Sequence, residues 1–221
     1  VSERDDAVTD RTAPDVRPAG RSAVLVTFDS LEQVVAFRGG LGPDPEGVLP
    51  GVHEVVSGAR TLLLRFDPTR TDPARLRSAL DLVVPVPPAP STDDATLVVP
   101  VRYDGEDLDE LAASLGTSRD ALVDWHTGQV WTSAFCGFAP GFSYCTGTEP
   151  SLGVPRRSTA RTSVPAGSVA LAGEFSAVYP RSSPGGWQLV GRTDVAMWSL
   201  DRDPPALAPP GTRLRYVAVP S

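Results

Sequence analysis

Arg156, Arg157 and Arg161 fall within six positions of one another in VPRRSTARTSVPAGSVALAG (154–173). Guanidinium forks grip carboxylate and phosphate through paired hydrogen bonds. Three of them in one loop, accompanied by Thr159, Thr162 and Ser163, suit an acyl phosphate or a substrate carboxylate. The same residues also suit a surface loop whose arginines pair with the acidic 104–110 segment or with a partner subunit. Charge alone does not choose, because exposed ion pairs are common and weak. Upstream lies GFAPGFSY (137–144). Gly137 and Gly141 permit backbone angles closed to other residues, and Pro140 fixes its own φ. The turn therefore has one shape, with Phe138, Phe142 and Tyr144 projecting from it. It reads as the wall of a substrate pocket or as a tight connection packed by aromatics. Downstream, YPRSSPGGWQLVGRT (179–193) opens on Tyr179, sets Gly185 and Gly186 before Trp187, and carries Arg192 near its end. Adjacent glycines let backbone N–H groups approach a ligand closely. Glu174, after Ala172–Gly173 at a strand end, is a candidate general acid or base, or an exposed turn carboxylate.

Other chemistries lack their residues. No GxxxxGK[ST] loop occurs and the chain has no lysine to serve one; GxGxxG, GxSxG and HExxH are absent as well. His53 joins no constellation. His126, at a helix end, suits the dipole of that helix. Cys136 and Cys145 are not spaced as CxxC and have only two histidines to accompany them, so no metal site is expected. Both read as free thiols; a nucleophilic role would need a neighbouring histidine.

The net charge of −7 disfavours non-specific nucleic-acid binding, which needs a basic footprint. No apolar run approaches the roughly 20 residues of a membrane helix. The first 20 residues are charged and polar rather than signal-like. A soluble cytoplasmic protein is expected.

Elements must hold these groups in place. Residues 1–16 lack periodicity and read as a disordered tail. A first domain over 17–86 begins with a strand (22–28) and a helix (31–38), followed by a loop (39–51) holding five glycines and three prolines. Strands at 52–56 and 61–66 come next, then a helix (72–84) capped by Asp72 with Leu76, Leu80 and Val83–Val84 as its apolar stripe. This order predicts a small α+β domain. A Pro-rich linker (87–94) follows. The second domain (95–221) predicts a strand at 95–103 and a helix at 108–115. A second helix (118–127) is capped by Ser118, with Ala121, Leu122 and Trp125 facing the core. A strand at 130–135 and then many short strands follow, the rhythm of a closed or sandwich β architecture.

VPVRYDGEDLDELA (99–112), GFAPGFSY, VPRRSTARTSVPAGSVALAG and YPRSSPGGWQLVGRT together resemble one family. It is known as subunit 1 of allophanate hydrolase, as the Kip-type kinase-inhibitor family, and as the B subunit of ATP-dependent 5-oxoprolinase. SAVLVTF, GVHEVV and TLLLRFDP fit its first domain. The resemblance implies an α+β N-terminal domain and a mainly-β cyclophilin-like barrel. It implies a cyclophilin-like partner (the C subunit) and a third component (the A subunit), with no activity for this chain alone. It also implies ATP as the co-reactant for opening 5-oxoproline to glutamate. Under that chemistry Arg157, Arg161, Glu174 and Arg192 are the catalytic candidates. Phe138, Pro140, Gly141, Phe142, Tyr144, Arg156, Tyr179, Gly185, Gly186 and Trp187 are the substrate-binding candidates. The alternatives are a component of urea carboxylase or allophanate hydrolase, and an inhibitor that docks on a sensor histidine kinase. The chain departs from the family pattern at Ala160, usually Pro, at Cys145, usually Leu, and at Phe175–Ser176–Ala177, usually Gln-Thr-Gly. The last change bears most directly on substrate preference.

Overall fold

A computed structural model describes residues 14–87 and 96–220. Apart from Pro87, the expected linker lies outside the described residues, as do residues 1–13 of the expected tail. The chain divides into two compact units, Val1–Pro88 and Ala89–Ser221.

The first unit is an antiparallel sheet in the order β1-β2-β4-β3, from β1 (Asp15–Pro18), β2 (Ala23–Thr27), β3 (Val52–Ser57) and β4 (Thr61–Phe66). Asp15 and Val16, expected in the tail, belong to β1, because Val16 is buried and pairs with Val26. Helix α1 (Leu31–Gly40) is capped by Ser30, and α3 (Pro73–Leu80) by Asp72, which accepts from the N–H groups of Ala74 and Arg75. The sheet and both helices share one core around Val24, Val26, Phe37, Leu62, Leu64, Leu76 and Leu80. The expected 39–51 loop is shorter than predicted. Helix α1 runs on through Gly39 and Gly40, and a four-residue α2 (Pro45–Val48) starts at the Asp44 cap. The glycines are required there, since a Cβ on either would overlap the backbone of Val84 or Val86. Helix α3 ends four residues before its predicted end, and Val84, expected in its apolar stripe, is exposed.

In the second unit, β5 (Leu97–Val101) leads to α4 (Leu108–Ser114) and α5 (Arg119–Thr127). Ser118 caps α5, which buries Leu122 and His126. Ala121, expected to face the core, is exposed. Then come β6 (Trp131–Cys136), β7 (Ser143–Gly147), β8 (Arg161–Val164), β9 (Ser168–Ala172) and β10 (Phe175–Val178). β11 (Ser183–Gly185), β12 (Gln188–Arg192) and β13 (Arg213–Ala218) complete the unit. Seven strands form one sheet in the order β12-β9-β10-β7-β6-β13-β5, and β8 and β11 pair as a separate ribbon. The sheet is a nearly closed barrel. Past the end of β5, Arg102 exchanges two backbone hydrogen bonds of 2.9 Å with Arg192 on the opposite edge. The chain continues along that edge, with Gly105 and Asp107 donating to the carbonyls of Val190 and Leu189.

Strand alternation explains the two cores of this unit. On β9, Val169 and Leu171 face the interior with Val99, Val101, Trp131 and Leu214, while Ala170 and Ala172 face outward into a second cluster. The interior also holds a polar chain. The Tyr103 hydroxyl lies 2.6 Å from His126 Nδ1, His126 Nε2 lies 2.9 Å from Ser176 Oγ, and Ser176 donates to the Tyr216 hydroxyl at 3.2 Å. Since the single hydroxyl proton of Ser176 goes to Tyr216, the imidazole proton sits on Nε2 and Nδ1 accepts from Tyr103. The ring stacks on Tyr216 at 4.3 Å. Burial pushes the pKa of His126 down to about 3. The dipole account expected for His126 therefore fails, because the ring is uncharged.

Ser176→Ala would orphan the buried Nε2–H and is expected to cost about 1–3 kcal/mol in urea unfolding. Ser176→Thr keeps the hydroxyl and should cost far less.

Candidate functional site

The outward cluster is aromatic. Phe142, Tyr179 and Trp187 are buried on the small surface made by Ala170, Ala172 and Ala177, with Tyr144 and Phe175 half-buried beside them. Small side chains on β9 and β10 make room for large rings from the turns. Phe142 contacts Tyr144, Tyr179 and Trp187 at centroid distances of 5.0, 5.2 and 5.4 Å, mostly edge-to-face. Phe175, at the departure from the family pattern, packs on Phe135 and Tyr144. Gly185 is obligatory, since any Cβ there would overlap the Tyr179 hydroxyl.

The 137–142 turn is built under strain. Phe138 has φ +66°, the one non-glycine positive φ among the described residues. The Ala139 N–H donates to the Gly137 carbonyl at 2.7 Å, and Phe142 N–H to Ala139 at 3.0 Å. Gly141, at φ +80°, backs onto Trp198, where a Cβ would come within 2.7 Å of the tryptophan Cβ. Phe142 is thus driven inward while Phe138 stays 60% exposed, with Pro140 exposed beside it.

The arginines divide. Asp107, 3% exposed, bonds Arg157, Arg161 at 2.8 Å, and the Leu189 N–H at 2.7 Å. Glu106 adds a second acceptor to Arg161 at 3.1 Å. Arg192 pairs with Asp104 at 2.7 Å. Of the two readings the sequence left open for Arg156, Arg157 and Arg161, pairing with the acidic segment is the arrangement seen for Arg157 and Arg161, and Arg192 pairs with the same segment. Arg157 Nε and Arg161 Nη1 are buried without an acceptor among the described residues. Burial pushes the Asp107 carboxyl up, but the Arg161 hydrogen bond, the Leu189 N–H and the two guanidinium charges outweigh it and hold the pKa below its ordinary value. Asp107 was not among the sequence candidates. Its signal was the acidic 104–110 segment, which the sequence reading offered as a partner for the arginines without singling out Asp107.

Arg156 differs from its neighbours. It is exposed and has no carboxylate partner among the described residues. Burial raises the pKa of the Tyr144 and Tyr179 phenols, and the Arg156 charge opposes that rise at both. A groove of about 240 Å³ runs between α4 and the 155–158 loop, lined by Glu110, Ser114, Arg156, Arg157, Ser158 and Gln188 among others. The loop is tied down by the Arg157 N–H donating to Gly186 and by the Gln188 amide donating to the Pro155 carbonyl. Glu174 is exposed next to Gly173, without an ion pair or side-chain hydrogen bond among the described residues. Cys145 is buried, which pushes its thiol pKa up and away from nucleophilic use. No group of three or more potential metal ligands occurs among the described residues, and no helix there is long and apolar enough to cross a membrane.

Asp107→Asn is expected to cost about 2–3 kcal/mol, because it takes the carboxylate from Arg157, leaves Arg161 only the exposed Glu106, and weakens the bond from the Leu189 N–H. The contribution is present above about pH 4, the ordinary carboxylate range. It is lost as pH falls through the lowered pKa of the folded protein. Urea unfolding of wild type and variant between pH 7 and pH 2.5 should therefore show the difference shrinking only at the acid end.

Comparison with known proteins agrees with this architecture. The 5-oxoprolinase B subunit of Bacillus subtilis (strain 168) is 40% identical over 124 residues, which is 55% of this chain and 52% of that protein. The chain thus spans about half the length of the curated relatives it matches. The solved structure of TTHA0988 superimposes with a TM-score of 0.72 at 32% identity, covering 94% of this chain and 41% of that one. The Kluyveromyces lactis urea carboxylase, at 17% identity and a TM-score of 0.73 over 94% of this chain and 22% of its own, shares the fold. The family model of the carboxyltransferase domain, subdomain C and D, matches residues 14–208. The chain belongs to that family.

Proposed function

We propose that this chain is the B subunit of an ATP-dependent 5-oxoprolinase, working only in complex with a cyclophilin-like C subunit and an A subunit. The observation that carries the site assignment is Arg156, an exposed guanidinium without a carboxylate partner among the described residues, on the loop that Asp107 anchors through Arg157. The similarity to a 5-oxoprolinase B subunit supports the reaction class. A lactam is a poor electrophile. Transfer of the terminal phosphate of ATP to the lactam oxygen releases ADP and gives an activated imidate. Water then adds at that carbon, the C–N bond breaks with the proton going to nitrogen, and phosphate leaves on hydrolysis. Such chemistry needs fixed positive charge where anionic oxygens sit.

In this reading Arg156 meets an anionic group, either the substrate carboxylate or a phosphate. Tyr144 and the exposed ring of Phe138 border the substrate, while Phe142, Tyr179 and Trp187 set the shape of the face from beneath. Arg157 and Arg161 hold the loop rather than the ligand. Arg192 holds the barrel edge, and Glu174 is available as an acid or base at the rim. The described residues offer ATP a guanidinium rather than a nucleotide cradle, so nucleotide binding is assigned to the assembled complex. Phe175, where the family carries Gln, makes the rim more apolar and favours a substrate with less to hydrogen-bond there.

The test is ATP-dependent glutamate release from 5-oxoproline by the reconstituted complex. Arg156→Ala should lower turnover by about 100-fold without changing the melting temperature. Turnover that survives omission of this chain, or an Arg156→Ala complex as active as wild type, would contradict the assignment.

A further inference from the structure

The charges of the acidic 104–110 segment and of the arginine loop almost all cancel. Asp104 pairs with Arg192, Glu106 with Arg161, Asp107 with Arg157 and Arg161, and Asp109 with Arg119. Among the described residues of these two segments, one carboxylate and one guanidinium are left over, those of Glu110 and Arg156. Both line the groove between α4 and the 155–158 loop, and they form no ion pair with each other.

The two walls of that groove differ in hydrogen-bonding sense. Glu110 and Ser114 stand four residues apart on α4, which puts them on one face of the helix. The Ser114 hydroxyl spends its proton on the Leu111 carbonyl at 2.7 Å, so its oxygen is left as an acceptor on the same wall as a carboxylate that only accepts. The loop wall donates. Arg156 is exposed and has no acceptor among the described residues. Arg157 gives only Nη1 to Asp107, and its side chain stays 33% exposed. Ser158 adds a hydroxyl. A volume of about 240 Å³ lies below the ~300–1,000 Å³ of pockets that take drug-sized ligands, so the occupant is small. A plain anion satisfies the loop wall but meets the uncompensated Glu110 carboxylate, and a plain cation meets the arginines. A molecule with a carboxylate and an ammonium matches both walls. Guanidinium forks take the carboxylate through paired bonds, and the ammonium N–H groups need acceptors.

We infer that this groove binds a small zwitterion of the free amino acid class, with the carboxylate on Arg156 and Arg157 and the ammonium on Glu110 and Ser114. The inference rests on the reading above for the role of Arg156 and deepens it. Opening a lactam turns a neutral N–H into an ammonium, so Glu110 would separate the ring-opened amino acid from the closed ring.

The experiment is titration of the full ¹⁵N-labelled chain at pH 7 with L-glutamate, N-acetyl-L-glutamate, 5-oxo-L-proline and inorganic phosphate, read by backbone amide shifts. L-glutamate should bind about 10-fold more tightly than the other three, with its shifts gathered at residues 108–114 and 155–158. Glu110→Gln, at an exposed position, should weaken L-glutamate by about 10-fold, leave N-acetyl-L-glutamate unchanged and keep the melting temperature. Equal binding of L-glutamate and its N-acetyl form would overturn the inference, as would no L-glutamate shifts in the groove or a Glu110→Gln variant that binds it like wild type. None of these outcomes needs ATP or another subunit. The inference can therefore fail while ATP-dependent turnover by the complex stands, and binding by the chain can stand if that turnover fails.

Discussion

One buried carboxylate organises the second unit. Asp107 sits at the first turn of α4, where a side chain ordinarily caps its own helix. No such cap bond is made. The carboxylate turns instead to the Leu189 N–H and to Arg157 and Arg161. A lone carboxylate would not stay ionised in that place. Two guanidinium groups and a backbone donor keep it charged, and it in turn keeps them from being uncompensated buried cations. Three segments distant in sequence therefore meet at one point: the start of α4, the barrel edge at β12, and the arginine loop. The seam between β5 and β12 closes alongside, through Arg102 and Arg192.

That anchoring has a consequence for chemistry. A loop that spends two of its three arginines on structure can hold the third in a fixed place. Pro155 and Arg157 are tied to Gln188 and Gly186, and the Arg156 side chain between them is exposed. The aromatic face is rigid for a different reason. Alanines on β9 and β10 leave space that Phe142, Tyr179 and Trp187 fill edge-to-face. Charge is thus positioned by a salt-bridge hub and shape by ring packing.

Much of this was legible in the sequence. Asp72 and Ser118 announced helix starts, and short β-branched runs announced strands, because capping and alternation are local. The glycines of GFAPGF announced a tight turn, and Gly141 does take a positive φ, but Gly137 does not; the second positive φ of the turn falls on Phe138. What the sequence withheld depends on distant partners. Nothing local separates Arg156 from Arg157; only the carboxylate at 107 does. Ser176 read as a substrate-facing departure, yet it faces the barrel interior and hydrogen-bonds His126. Ala121 fell on the apolar stripe by spacing but lies on the solvent side of a helix only nine residues long. The Gly39–Gly40 extension of α1 was invisible because it rests on the backbone of residues 84–86.

The central claim is that Asp107 makes Arg161 part of the scaffold. A double-mutant cycle on Asp107→Asn and Arg161→Gln, read by urea unfolding at pH 7, tests it most directly. A coupling energy of about 2–3 kcal/mol is predicted, the range of residues in one buried network. Additive effects, with coupling below about 0.5 kcal/mol, would mean that the two side chains act independently and that Arg161 is free for another partner.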